Sequence, residues 1–455
     1  MEENEKILLF EKLPIPRAIA KLAVPTILSS LVMVIYNLAD TYFVGMLNDP
    51  VQNAAVTLAY PVLLAFNAVN NLFGVGTSSM MSRAMGRKDY ETVRRSSAFG
   101  FYCSLLCGLL FSLMCTVLKV PLLTLLGADE TTRAATDSYM LWTVTWGAAP
   151  SILNVVMAYL VRSEGSSLHA SIGTMSGCFL NMILDPIFIL PWGLNMGAAG
   201  AGLATFLSNC FACLYFFVFM YVKRKSTFVC VNPRKIGFER AVVLGICAVG
   251  VPASIQNLLN VTGTTILNNF TSVYGADAVA SMGIAQKINM VPFQIALGFS
   301  QGIMPLVSYT YASGNHRRMK DTILFAIKLM LPAMTAVSVG YFVGAGGLVR
   351  LFMDNDVIVG YGTKFLRAFC LGQPLIYMDF LAVGVFQALG MGKNAFVFAI
   401  MRKIILEIPA LFILNYLFPL YGLAYAQPLA ELVLAAASVV MLKKIFERNQ
   451  LETET

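Results

Sequence analysis

Of the chain's 455 residues, 58% are hydrophobic and 12% are charged, about half the ~25% charged share of an ordinary soluble domain. So few charges cannot coat a water-facing surface, which excludes a soluble globular protein and makes lipid the solvent for most of the chain. The net charge of +8 is spread over short loops, a topology signal that argues against a nucleic-acid partner.

The N-terminal "MEENEKILLFEKLPIPRAIAKL" is charged and has no long apolar run before a small-residue cleavage site, so no removable signal peptide is expected. A helix needs ~20 mostly apolar residues to cross a bilayer, and turn and charge clusters divide the chain into twelve such stretches. Span 1, 17–45, contains "YNLADTYFVG". Asp40 there shares a face with Tyr36 and Asn37, at i−4 and i−3, and Pro25 is a hinge candidate earlier in the helix. Spans 2 and 3, 53–82 and 92–118, flank the basic loop "GRKDYETVRR". Span 4 covers 134–161. Span 5, 169–191, carries Asn181 and, one turn later, Asp185. Pro186 follows as a second hinge candidate, because a proline removes one helix hydrogen bond and frees a carbonyl. Span 6, 198–222, adds Thr205, Ser208 and Asn209.

The basic stretch 222–240 then links to span 7, 240–271, which has Gln256 and Asn257 but no carboxylate. Spans 8 and 9 are 279–311 and 321–345. Span 10, 361–388, holds Asp379. Span 11, 395–418, holds Lys403 and Glu407, spaced i, i+4 so that they can neutralise each other. Span 12, 422–445, holds Glu431. A carboxylate costs at least ~2.5–3.5 kcal/mol at the centre of a membrane helix and marks a functional site by default. Asp40, Asn181, Asp185 and Thr205 together offer hard oxygen ligands suited to Na⁺, or two acids able to share a proton. Gln256, Asn257, Asp379 and Glu407 are candidates for lining a substrate cavity.

Basic residues cluster at the N-terminus and in the even-numbered loops, from Lys6 and Arg17 through Arg83, Arg94, Arg162, Lys223 and Arg317 to Lys393, Arg402, Lys403 and Lys443. The other side has Lys119, Arg133, Arg350 and Lys364. This bias places both termini in the cytoplasm. The nine cysteines and two histidines form no metal-ligand pattern, and no cofactor is expected. HExxH, GxSxG and a phosphate-binding loop with its lysine are absent, as is any soluble ATPase domain. An enzyme is therefore not expected, and an ion gradient is the remaining energy source.

The chain repeats itself. "VPTILSSLVMVIYNLADTYFVGML" from Val24 is similar to "VPASIQNLLNVTGTTILNNFTSVYG" from Val251. "LVRSEGSSLHA" from Leu160 is similar to "VFQALGMGKNA" from Val385, and "LDPIFIL" to "LEIPALF". Asp185 thereby matches Glu407, Thr205 matches Gln427, Asn181 matches Lys403, and Asp40 meets Leu267 and Asn268. The expectation is an all-α polytopic membrane protein of twelve transmembrane helices. Two six-helix bundles, 1–221 and 241–455, flank a basic cytoplasmic linker, 222–240, and are related by a pseudo-two-fold axis along the membrane normal. That design suits rocking of one bundle against the other around a midplane substrate site.

"NLADTYFVG", "NMILDPIFI" followed by "GAAGAGLAT", and "QKINMVPFQIALGFSQGIMPLVSY" resemble the multidrug and toxin extrusion family of bacterial transporters over nearly the whole chain. The resemblance implies a two-lobed exporter of small organic, often cationic molecules, driven by inward H⁺ or Na⁺ across the bacterial inner membrane. It carries the cation-coupling role onto Asp40, Asn181, Asp185 and Thr205, with Tyr36 and Asn37 as supporting polar neighbours. A second branch of the family has an acid on span 7, which this chain lacks, so the first-lobe site is favoured. One chain is expected to suffice as a monomer. A lipid-linked saccharide flippase of the same superfamily is the alternative. It needs cationic groups inside the cavity, for which Lys287, Lys328 and Arg367 are the bases outside the loops.

Overall fold

The structure is a computed structural model that describes residues 2–47 and 49–454. Among these residues there is no strand. Nine helices are long and apolar enough to cross a membrane, and a tenth span is the bent pair Arg133–Trp146 and Ala148–Ser163. Residues 392–417, in three helical segments, and Tyr421–Glu454 bring the spans to the expected twelve. Most helices outrun their predicted apolar stretches by a few residues. Hydrogen bonding within a helix continues past the point where side chains become polar.

Three spans are interrupted by a wider π-helical turn, at Asn70–Val75, Leu141–Trp146 and Met401–Glu407. In span 4 the halves meet at 49°. Gly147 sits at that corner because a Cβ there would lie 2.4 Å from the Trp142 carbonyl oxygen and 2.6 Å from that of Thr143. Glycine is needed for a different reason at Gly250, where a Cβ would come within 2.0 Å of the Leu72 carbonyl oxygen. Small residues allow this close backbone approach between membrane helices.

The chain forms two compact units whose boundaries differ from the expected ones. The first comprises residues 1–12 and 28–254, the second 13–27 and 255–455. Spans 1 and 7 therefore change unit partway along. In both, the Val-Pro pair of the repeat, Val24-Pro25 and Val251-Pro252, lies just before the changeover. The stretch 222–240 groups with the first unit. Ser97 Oγ accepts from the Cys230 backbone at 3.0 Å and donates back to its carbonyl at 3.1 Å. Tyr102 donates to the Val231 carbonyl at 2.7 Å, and Phe228 stacks on Tyr90 with centroids 5.1 Å apart. Those hydrogen bonds and the buried Phe228 hold it down. The core of the second unit gathers Met282, Phe365, Phe369, Leu411 and Leu423.

Candidate functional site

In the first unit, Asp185 and Asn181 project from one face of span 5, and both are buried. With its amide turned to satisfy both neighbours, Asn181 donates to Asp185 Oδ2 at 2.7 Å and accepts from Thr205 through its backbone N–H at 3.1 Å and its hydroxyl at 3.3 Å. The i, i+4 spacing on span 5 and the facing position on span 6 dictate this chain. Tyr36 hydrogen-bonds to Thr205 and lies within electrostatic reach of Asp40, Asp185 and Tyr139. Asp185 in turn feels the charge of Asp40. Asp40 Oδ1 is buried without a hydrogen-bond partner.

Among the described residues no Lys, Arg or His pairs with Asp40 or Asp185. Two carboxylates without a counter-charge, Asp185 buried and Asp40 partly so, set among amide, hydroxyl and phenol groups, can hold a proton or a hard cation such as Na⁺. The orphaned Asp40 oxygen fits either.

The structure brings together Tyr36, Asp40, Asn181, Asp185 and Thr205. Asn37 is exposed, and its carbonyl accepts from the Thr41 hydroxyl at 2.9 Å. One step of a helix turns a side chain by about 100°, which separates Asn37 from the face that carries Tyr36. Tyr139, buried in span 4 beside Asp40 and Asp185, joins the group. A lone tyrosine near the start of an apolar stretch has no distinctive spacing that would mark it in the sequence. Pro25 and Pro186 both lie inside continuous helices, Ile15–Gly45 and Ser167–Ile189.

The second unit handles its acids differently. Arg402 and Lys403, which add to the cytoplasmic charge bias of the sequence, lie inside span 11 and are buried. The apolar flanks of that stretch are long enough to carry them into the span. Arg402 Nη2 is 2.7 Å from Glu431 Oε1 and Nη1 is 3.4 Å from Asp379 Oδ2. The angles are poor, so these are charge contacts rather than hydrogen bonds. The guanidinium also lies over the Phe380 ring, 5.0 Å from its centroid. Lys403 Nζ donates to Glu407 Oε1 at 2.7 Å. Asp379 and Glu407, candidates for a substrate cavity, are thus placed in a buried charge network. Asp379 is 1% exposed. Gln256 and Asn257 are half-buried on span 7, with Asn257 Oδ1 unpartnered. Lys287, Lys328 and Arg367, the bases a flippase would need inside, are exposed, and Arg367 rests on Phe342.

The MatE family model matches the chain twice, at residues 25–187 and 252–413, one copy for each repeat. The multidrug export protein MepA of Staphylococcus aureus is 31% identical over 452 residues, covering 99% of this chain and 98% of its own. A solved structure described as MATE in complex with MaL6 superposes with a TM-score of 0.92 at 25% identity, covering 98% of this chain and 99% of that one. An outward-facing multidrug resistance MATE family transporter gives a TM-score of 0.89 at 26% identity, with 98% of both chains covered.

Proposed function

Because the chain belongs to the multidrug and toxin extrusion (MATE) family of membrane transporters, we propose that it is a secondary active multidrug exporter. It antiports organic, often cationic compounds outward against inward H⁺ or Na⁺ by alternating access, as a single chain in the bacterial inner membrane with both termini cytoplasmic. The observation that carries the coupling part of this reading is the pair of carboxylates, buried Asp185 and partly buried Asp40, with no basic partner among the described residues. Export of several drugs is taken from the relatives' names.

In this reading, the outward-open protein takes up H⁺ or Na⁺ at Asp40 and Asp185. Neutralising them weakens attraction for a cationic drug, which leaves outward. The halves then rock, with Pro25 as a bending point, and the ion departs inward. Drug and ion must oppose each other in affinity for the cycle to be coupled. One charge crossing 100 mV contributes ~2.3 kcal/mol.

Proteoliposomes with imposed gradients test this. Asp40→Asn should abolish uphill efflux while the protein stays folded in detergent. Wild-type pumping by that variant would remove the mechanism. Replacing a pH gradient with a sodium gradient then identifies the coupling ion.

A further inference from the structure

Arg162 closes span 4 and is 7% exposed, with Nε buried and without a hydrogen-bond partner. A guanidinium does not lose its proton in a protein, and a buried unpaired charge is strongly unfavourable. The acid nearest in sequence is already taken. Glu164 accepts from Lys6 Nζ at 2.7 Å, from the Thr227 hydroxyl at 3.0 Å and from the Phe228 backbone at 2.6 Å. Lys6 and Glu164 pair with each other, and among the described residues no acid pairs with Arg162. Among the described residues its counterweight is the Tyr159 ring, 5.5 Å away, and a cation–π contact compensates only part of a desolvated charge. Bundle architecture does not require the charge, because the repeat places neutral Gln387 at the matching position.

We propose that Arg162 is the cation of an anion-binding site at the end of span 4, and that its ligand is a phosphate-type oxyanion. The planar guanidinium matches such groups in paired hydrogen bonds. The basic loops assign this helix end to the cytoplasmic face, where the phosphates of anionic lipids and free phosphate are both available.

The test is thermal unfolding of the purified full chain, with inorganic phosphate titrated against gluconate and chloride at equal ionic strength. In parallel, the chain is placed in nanodiscs of phosphatidylglycerol or phosphatidylcholine. A saturable rise in Tm of ~2–4 °C with phosphate, lost in Arg162→Gln, establishes a free-oxyanion site. A rise with phosphatidylglycerol alone, lost in the same variant, establishes a headgroup site. Equal responses to phosphate, chloride and gluconate together with equal stability in the two lipids overturn the proposal, as does an undiminished response in Arg162→Gln. Should Arg162→Gln fail to fold, the wild-type titration still decides, with Arg162→Lys expected to respond more weakly.

Discussion

Asp185 in span 5 and Glu407 in span 11 occupy matching places in the two repeats, and each is held at 2.7 Å by the residue one helical turn earlier. In the first unit that residue is Asn181, a neutral amide. In the second it is Lys403, an ammonium. Asn181 leaves Asp185 with its charge problem unsolved, so a mobile cation can solve it and leave again. Lys403 solves it permanently. The same contrast runs through the rest of each cluster. Asp40 lies near Tyr36, Tyr139 and another acid, Asp185, whereas Asp379 and Glu431 face Arg402. A transporter needs a site that can be emptied, and in the second unit the buried acids Asp379, Glu407 and Glu431 all lie against a fixed cation, whereas Asp40 and Asp185 do not.

Substitutions that exchange the two chemistries sharpen this contrast. The largest effect is expected from Asn181→Lys, which gives the first unit the second unit's lysine. Uphill efflux in proteoliposomes should fall to the leak rate, at least as far as in Asp40→Asn, while the protein still elutes as a folded species. Retained coupling would mean that Asp185 does not carry the ion. Next comes Arg402→Met, which leaves Asp379 and Glu431 buried without their cation. A loss of ~3–5 kcal/mol is expected, since removing one member of a buried ion pair strands the other, and chemical denaturation of the purified protein measures it. Lys403→Met should be similar or slightly milder. Adding Glu407→Leu to it should recover most of the loss, because replacing a whole buried pair by apolar residues is often neutral. A double variant as unstable as the single would give Glu407 a role beyond pairing. Thr205→Val removes the hydroxyl that Asn181 and Tyr36 use, and ~0.5–1.5 kcal/mol of stability is expected to go with it. Its main readout is a changed ion dependence of transport rather than unfolding.

In the loop after span 3, Asp129 accepts from the backbone and hydroxyl groups of Thr131 and Thr132, which hold its carboxyl down at about 2. Whatever this turn contributes is present above pH ~4, the ordinary range of a free aspartate, and is lost as pH falls through about 2. Acidification between pH 7 and 5 should therefore leave the turn unchanged. Any pH response of transport in that window comes from elsewhere, which makes Asp129→Ala a control with wild-type efflux.

Hydropathy, charge bias and the repeat determine from sequence alone that twelve helices cross the membrane in two related sets. Each of those signals depends on local composition, and burial in lipid is decided residue by residue along a helix. The same holds for Asp40, Asn181 and Asp185, since a carboxylate in an apolar stretch stands out without any knowledge of its neighbours. Three features depend on the packed chain. Tyr139 joins the acid cluster through the packing of span 4 against spans 1 and 5, which no local pattern records. The Lys403–Glu407 pair is legible from its i, i+4 spacing, but that Arg402 meets Asp379 and Glu431 from two other spans is not. The unit boundaries fall within spans 1 and 7, just after their Val-Pro pairs, because a continuous helix can serve two cores in succession. Long-range pairing of this kind joins residues far apart in sequence, and no local pattern records which acid finds a cation and which is left to wait for one.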